Sequence, residues 1–278
     1  MRQVLLMTFT FLWLTACSQS VTGKIIDADS KNPLQYVNIG VVGRNIGTVC
    51  DKNGSFALEI PEYFDKDTLR ISIIGFHPNS YKVEDFKRVF QESIGGLIIE
   101  LTKKTLVLPE VFVTSREFTE KESGSKGKLG RIDFYSAKDT TLGGEVGTVI
   151  KVKRANAFVQ NIHVVIKANT YDDSILFRLN LYSMNGEIPG ENILREPIYV
   201  STKIKKGILI VNLEKYNIYV ENDFLASLEW IELMGEKKIG FGWGFKGKSF
   251  MRVTSEGEWD KVPLGMGIGI FATLIYVK

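Results

Sequence analysis

Glu229 and Glu232, in the stretch FLASLEWIEL (224–233), are the nearest thing in the chain to a pair of catalytic carboxylates. Glycoside hydrolysis needs two carboxyl groups flanking one bond, one to protonate the leaving oxygen and one to attack or activate water. An offset of three along a strand puts them on opposite faces, which defeats that geometry. Asp172 and Asp173 sit in a polar stretch suited to a turn. The two histidines, His77 in GFHP and His163 in IHVVI, stand in no H-x-x-E or H-E-x-x-H frame, so no zinc-ligand set is expected. His163 in its apolar run reads as a hydrogen-bonded bystander. Asp51, Asn53 and Gly54 lack the further oxygen ligands of a calcium loop and read as a turn. Cys50, alone in an apolar strand, reads as a small buried hydrophobe. No G-x-S-x-G elbow is present. The expectation is a non-catalytic chain without metal or cofactor, with hydrolysis of glycans or peptides kept as an alternative because sandwich enzymes assemble sites from distant residues.

Binding has one clearer candidate. In GFGWGFKG (240–247), strand periodicity throws Phe241, Trp243 and Phe245 to one face and three glycines to the other. Exposed, such a stripe stacks on sugar rings or seats a partner protein. Buried, it is core, and the glycine face marks a second backbone lying close. The second reading is favoured, and it extends to Trp230 and Trp259.

The elements that must carry these residues are strands. Period-two alternation marks 21–27, 35–42, 46–50, 55–60, 67–74 and 97–102 in the first part of the chain. In the second it marks 147–154, 158–168, 174–184, 197–202, 207–214, 224–233, 240–247 and 269–277. Only 83–91, with Val83, Phe86, Val89 and Phe90 near helical spacing, reads as helix. The charged, Gly- and Ser-rich FTEKESGSKGKLG reads as part of a linker spanning 104–130. The fold class is all-β, with two β-sandwich domains: residues 21–103, and an antiparallel sandwich or jelly roll over 131–278.

The first of these domains carries a family pattern. Val21, Gly23 and Asp27, then Pro33, Leu34, Val37 and Asn38, then Gly47, Thr48, Asp51, Gly54 and Phe56, then Ser72, Gly75 and Phe76 stand at its positions, with Cys50 where threonine is usual. In these residues the segment resembles the carboxypeptidase regulatory-like domain. The resemblance implies a transthyretin-like β-sandwich and no catalysis, since in zinc carboxypeptidases this domain only accompanies the catalytic one. The same domain is found at the N-terminus of TonB-dependent outer-membrane transporters, where a segment like LPEVFVTSR (108–116) leads to the plug. The remaining chain is too short for the roughly 22 strands of such barrels. The resemblance therefore implies an outer-membrane setting in a Gram-negative bacterium. The second domain is similar, more weakly, to C-terminal parts of proteins named only for their regulatory-like domain.

Residues 1–20 supply the address. Arg2 precedes an apolar run from Val4 to Leu14, about the length of a signal-peptide core and shorter than a spanning helix. Leu14-Thr15-Ala16-Cys17 resembles a lipobox, which makes Cys17 a lipidation candidate and lipid-anchored membrane contact its consequence. Cleavage after Ser18 is the competing reading, and it leaves a soluble periplasmic chain. A net charge of +3 with scattered lysines gives no phosphate-neutralising face, so nucleic acid is not an expected partner. Composition, 44% apolar and 24% charged, is that of an ordinary globular chain. The expected role is an exported binding or assembly module, as an outer-membrane lipoprotein or in the periplasm. Its expected partner is an outer-membrane or envelope protein, or a glycan.

Overall fold

The structure, a computed structural model, describes residues 18–94, 96–105, 118–135, 142–232 and 238–277. The apolar leader, the lipidation candidate Cys17 and the segment 108–116 lie outside the described residues.

The first sandwich alternates as its sequence does. Strand β1 (Ser18–Asp27) pairs antiparallel with β4 (Ser55–Pro61) and parallel with β7 (Leu97–Leu101). Facing this three-stranded sheet is a four-stranded one, in which β3 (Gly47–Val49) and β2 (Asn38–Val41) are followed by β5 (Thr68–Ser72) and β6 (Asn79–Lys82). Phe56, Leu58 and Ile60 turn inward from β4 while Ser55, Ala57 and Glu59 face out, the period-two signature of a half-buried strand. Helix α1 (Val83–Glu92) is the crossover to β7, burying Val83 and Phe86 against the sandwich core. Glu84 and Asp85 in its first turn complement the positive end of the helix dipole. The DADSKNP turn closes on Asp27, whose carboxylate accepts the Asp29 N–H at 2.9 Å and pairs with Lys103 at 3.0 Å. Those donors hold its pKa down at about 2.

The second sandwich is larger. Its seven-stranded sheet runs β13 (Ile188–Asn192), β12 (Ile175–Asn185), β17 (Phe224–Trp230), β10 (Glu145–Ile150), β19 (Ser249–Arg252) and β20 (Asp260–Lys261), with β14 (Ile198–Thr202) beside β12. The eight-stranded sheet centres on β11 (Ala157–Asn169) and runs β21 (Gly267–Ile268), β18 (Lys238–Gly244), β11, β22 (Ile270–Val277) and β8 (Phe118–Gly124). Beside this path, β15 (Gly207–Asn212) and β16 (Tyr219–Val220) join β11, and β9 (Gly130–Tyr135) joins β18. Between the sheets Phe177, Leu179, Phe224, Leu228, Phe241 and Leu274 form one continuous core.

One expectation is corrected here. The stretch 118–130, read as linker, belongs to the second sandwich: β8 pairs with β22 from Phe118↔Val277 to Gly124↔Phe271. Gly127 then lies against Gly242 and Gly269, so close that a Cβ on it would stand 2.8 Å from backbone atoms of both. An edge strand with most side chains in solvent pairs through its backbone, and backbone pairing leaves no apolar pattern in the sequence. The close approach over Gly242 is the second backbone that the glycine face called for.

Candidate functional site

The sheet face of β12, β17, β10 and β19 that points away from the core is charged, and the first sandwich meets it at Arg178. Register places Arg178 opposite Glu229, Glu229 opposite Glu145, and Glu145 opposite Arg252, so one row across four adjacent strands reads plus, minus, minus, plus. The Arg178 guanidinium donates to both Glu229 oxygens, from Nε at 2.8 Å and Nη2 at 2.7 Å. Arg252 Nε donates to Glu145 Oε2 at 2.9 Å. The Asn180 amide bridges the two carboxylates, at 2.8 Å to Glu145 and 2.7 Å to Glu229, and Ser227 Oγ donates to Glu145 at 2.5 Å. Tyr182 completes the set, donating to Glu145 at 3.1 Å and accepting from Arg252 at 3.0 Å.

The row reaches across the junction. Arg178 Nη1 donates to the backbone carbonyl of Tyr36 at 2.6 Å, and Nη2 donates to Asn38 Oδ1. Asn38 is the asparagine of the first domain's own pattern, here turned to a partner in the second domain. Further contacts tighten the same seam. Ser72 donates to Glu256 at 2.6 Å, and the Gly43 N–H to the Glu256 carbonyl at 3.0 Å. A Cβ on Gly40 or Gly47 would come within 2.2 or 2.5 Å of the Ser255 carbonyl oxygen, so these paired positions of β2 and β3 require glycine for a backbone-to-backbone approach.

Electrostatics follow from burial. Glu145 and Glu229 are 2% and 0% exposed. Burial pushes the Glu145 carboxyl up, against the pull of Arg252. Burial acts on Glu229 in the same sense, but the bidentate Arg178 overrides it and holds that carboxyl below its usual range. Two cations and two carboxylates balance within the row. Its hydrogen bonds are filled by protein groups, and its acids are closed to substrate, so the arrangement is equipped to fix two domains in one geometry.

The sequence candidates fall differently from expectation. Strand β17 ends at Trp230, so alternation does not extend to Glu232. Glu232 accepts a hydrogen bond from the Tyr36 hydroxyl, whose pKa burial and this carboxylate together raise. Glu229 is held in the buried row by Arg178 and Glu232 by the Tyr36 hydroxyl, so each carboxylate has its own partner. The aromatic stripe is split. Phe241 is fully buried in the core, which corrects its candidacy as a binding residue. Trp243 is half-buried and meets Phe245 edge-to-face at 5.2 Å, while Phe245, past the end of β18, is 66% exposed. Trp230 joins Phe134, Phe177 and Phe241 in the core, and Trp259 lies under the Arg252 guanidinium at 4.8 Å.

The remaining candidates are structural. Cys50 accepts the Val37 N–H at 3.0 Å and donates to the Leu34 carbonyl at 3.2 Å, and burial pushes its thiol up to about 12. His163 stacks flat on Phe271 at 4.4 Å with Nε2 2.8 Å from Thr273 Oγ1, and burial lowers its pKa. Asp51 Oδ1 accepts the N–H groups of Asn53 and Ser55, both at 2.8 Å, and Gly54 takes φ +77°, which is a turn. Among the described residues no group of three or more His, Cys, Asp or Glu is placed to hold a metal ion.

Residues 21–113 match the model of the CarboxypepD_reg-like domain. The first sandwich is a CarboxypepD_reg-like domain. Such domains are regulatory rather than catalytic. No curated protein matches the chain. Two solved structures with some likeness are the infectious bursal disease virus Gx strain, at 8% identity and TM-score 0.26, and the VP2 subviral particle of that virus, at 9% and 0.21. Each alignment covers 94% of this chain and 65% of the viral chain, so this chain spans less than two thirds of either. Scores this low do not define a shared topology.

Sequence reasoning missed Arg178, Asn180, Tyr182, Glu145 and Arg252. In ILFRLNLYSM the polar residues alternate with Phe177, Leu179 and Leu181, which reads as an ordinary solvated face. An arginine and an asparagine flanked by leucines on a long strand were the available signal. What covers Arg178 is the CarboxypepD_reg-like domain, through Tyr36 and Asn38, while Arg252 and Tyr182 lie against Trp259, and strand periodicity has no register of either cover.

Proposed function

We propose that this chain is a non-catalytic, exported binding or assembly module of the outer membrane or cell surface of a Gram-negative bacterium. The observation that carries the reading is the junction. A CarboxypepD_reg-like domain is locked onto a second sandwich by a charge row that occupies the acids Glu145 and Glu229, leaving a rigid two-domain body. The apolar leader and the Cys17 motif support export, either as a lipoprotein or as a periplasmic chain. Cell fractionation with intact-mass analysis of the mature protein, beside Cys17→Ala, tests it. A diacylated Cys17 that partitions into detergent, or a processed periplasmic chain, is the expected result. An unprocessed chain in the cytoplasm overturns the reading.

A carbohydrate-binding reading has one observation in its favour, the exposed Phe245 set edge-to-face against Trp243. Retention on polysaccharide affinity gels that Phe245→Ala abolishes supports it, and unchanged retention removes it.

A further inference from the structure

Strand β4 is an edge of its sheet, and its free side borders a cleft of about 890 Å³ between the CarboxypepD_reg-like domain and the second sandwich. Its backbone pairing fixes which groups face that cleft. The Ile25 N–H donates to the Gly54 carbonyl, so Lys24 and Ser55 are a non-hydrogen-bonded pair of the antiparallel ladder. Alternation then makes Phe56 and Leu58 the residues bonded to β1, and turns the N–H and C=O of Ser55, Ala57 and Glu59 outward. Those of Ser55 are taken by Asp51, its N–H by Oδ1 and its carbonyl by the Asp51 N–H, each at 2.8 Å. Among the described residues those of Ala57 and Glu59 have no partner. The register runs unbroken from Ser18↔Pro61 to Lys24↔Ser55, without a bulge, and no lysine or proline guards the edge before Pro61. Natural edges are usually blunted by such devices. The outer strand β8 has such a lysine, Lys121.

The other edge strand at the cleft, β3, is less open, because the Ser255 carbonyl occupies the space at Gly47. Among the described residues the cleft is acidic: Asp51, Glu59 and Glu232 line it against Lys52, and its apolar floor includes Val49, Leu142 and Ile231. We propose that β4 accepts an extended segment of a partner protein as an added strand, paired at Ala57 and Glu59. That segment carries a lysine or arginine opposite Glu59 and apolar side chains on its other face, toward Val49, Leu142 and Ile231. Main-chain bonds supply the affinity and alternate side chains the selectivity. This deepens the binding-module reading and rests on it.

The probe is a short synthetic peptide of alternating valine and threonine with one central lysine, and a matched peptide with glutamate in its place, added to the full chain. The lysine peptide slows amide hydrogen exchange at Ala57 and Glu59 and leaves the already bonded Phe56 and Leu58 amides unchanged. The glutamate peptide binds about fivefold more weakly, as a like charge facing Glu59 requires. Ala57→Pro removes an N–H that β1 does not use, so it folds with an unchanged thermal midpoint and loses protection by the peptide. Glu59→Lys reverses the peptide preference. Unslowed exchange at Ala57 and Glu59 under millimolar peptide overturns the strand-addition site. Partners crosslinked equally by the Ala57→Pro and parent chains overturn it too, while leaving the binding-module reading intact.

Discussion

Two clusters of the second sandwich use the same ions to opposite effect. At Glu187 a carboxylate draws Lys261 to 2.6 Å and Lys248 to 3.1 Å in open solvent, and these lysines hold its pKa down at about 2. At the junction Arg178 and Arg252 hold Glu229 and Glu145 with water excluded. The distances hardly differ; the surroundings do. A solvated pair is screened and replaceable by water, whereas a buried charge that loses its partner has nothing to turn to. Strength therefore resides in the cover, supplied by the CarboxypepD_reg-like domain at Arg178 and by Trp259 at Arg252, which turns a polar sheet face into an interior.

Breaking the buried row should have the largest effect. Arg178→Met leaves Glu229 unpaired and should destabilise the chain by about 3–5 kcal/mol in urea unfolding. The double variant Arg178→Met with Glu229→Leu should recover most of that, since an apolar pair of similar volume avoids the stranded charge; no recovery would place the loss in Tyr36 and Asn38 rather than in charge. Next comes the seam itself. Gly40→Ala drives a methyl into the Ser255 carbonyl and should cost about 1–3 kcal/mol, read as a lowered unfolding midpoint and faster proteolysis between the domains. A smaller loss at the charge row than at this glycine would invert the ranking.

The solvated cluster should respond least and mainly to pH and salt. Glu187 has a depressed folded pKa, so its contribution is complete above the ordinary glutamate range, near 4.3, and is lost as pH falls toward about 2. Glu187→Gln should flatten that acid limb at low salt and change nothing at high salt, whereas Arg178→Met should keep its full penalty in salt. Stability curves against pH at two ionic strengths distinguish the two.

The first sandwich was legible because its signals are local. Asp51, Gly54 and Phe56 encode a turn and a return to the core within a few residues, and Val83, Phe86 and Phe90 announce the crossover helix. The split of the aromatic stripe was half legible. Phe241 went to the core as large aromatics do, but β18 ends at Gly244, and nothing in GFGWGFKG marks where a strand stops. Strand β8 and the charge row were illegible for a common reason. Edge pairing is made by backbone, and the burial of Arg178 is made by a domain more than a hundred residues away in sequence, at Tyr36 and Asn38.

The place of β22 sets an order of events in folding. It lies between β11 and β8 in the middle of the eight-stranded sheet, yet it spans Ile270–Val277. Among the described residues the strands of the first sandwich fall within 18–101, so their pairings are available early in synthesis. The second cannot close its sheet until residue 277 has emerged, and until then β8 and β11 wait with the groups that β22 will satisfy. Pairings so distant along the chain form slowly, and the interval leaves two strand edges open to the wrong neighbour.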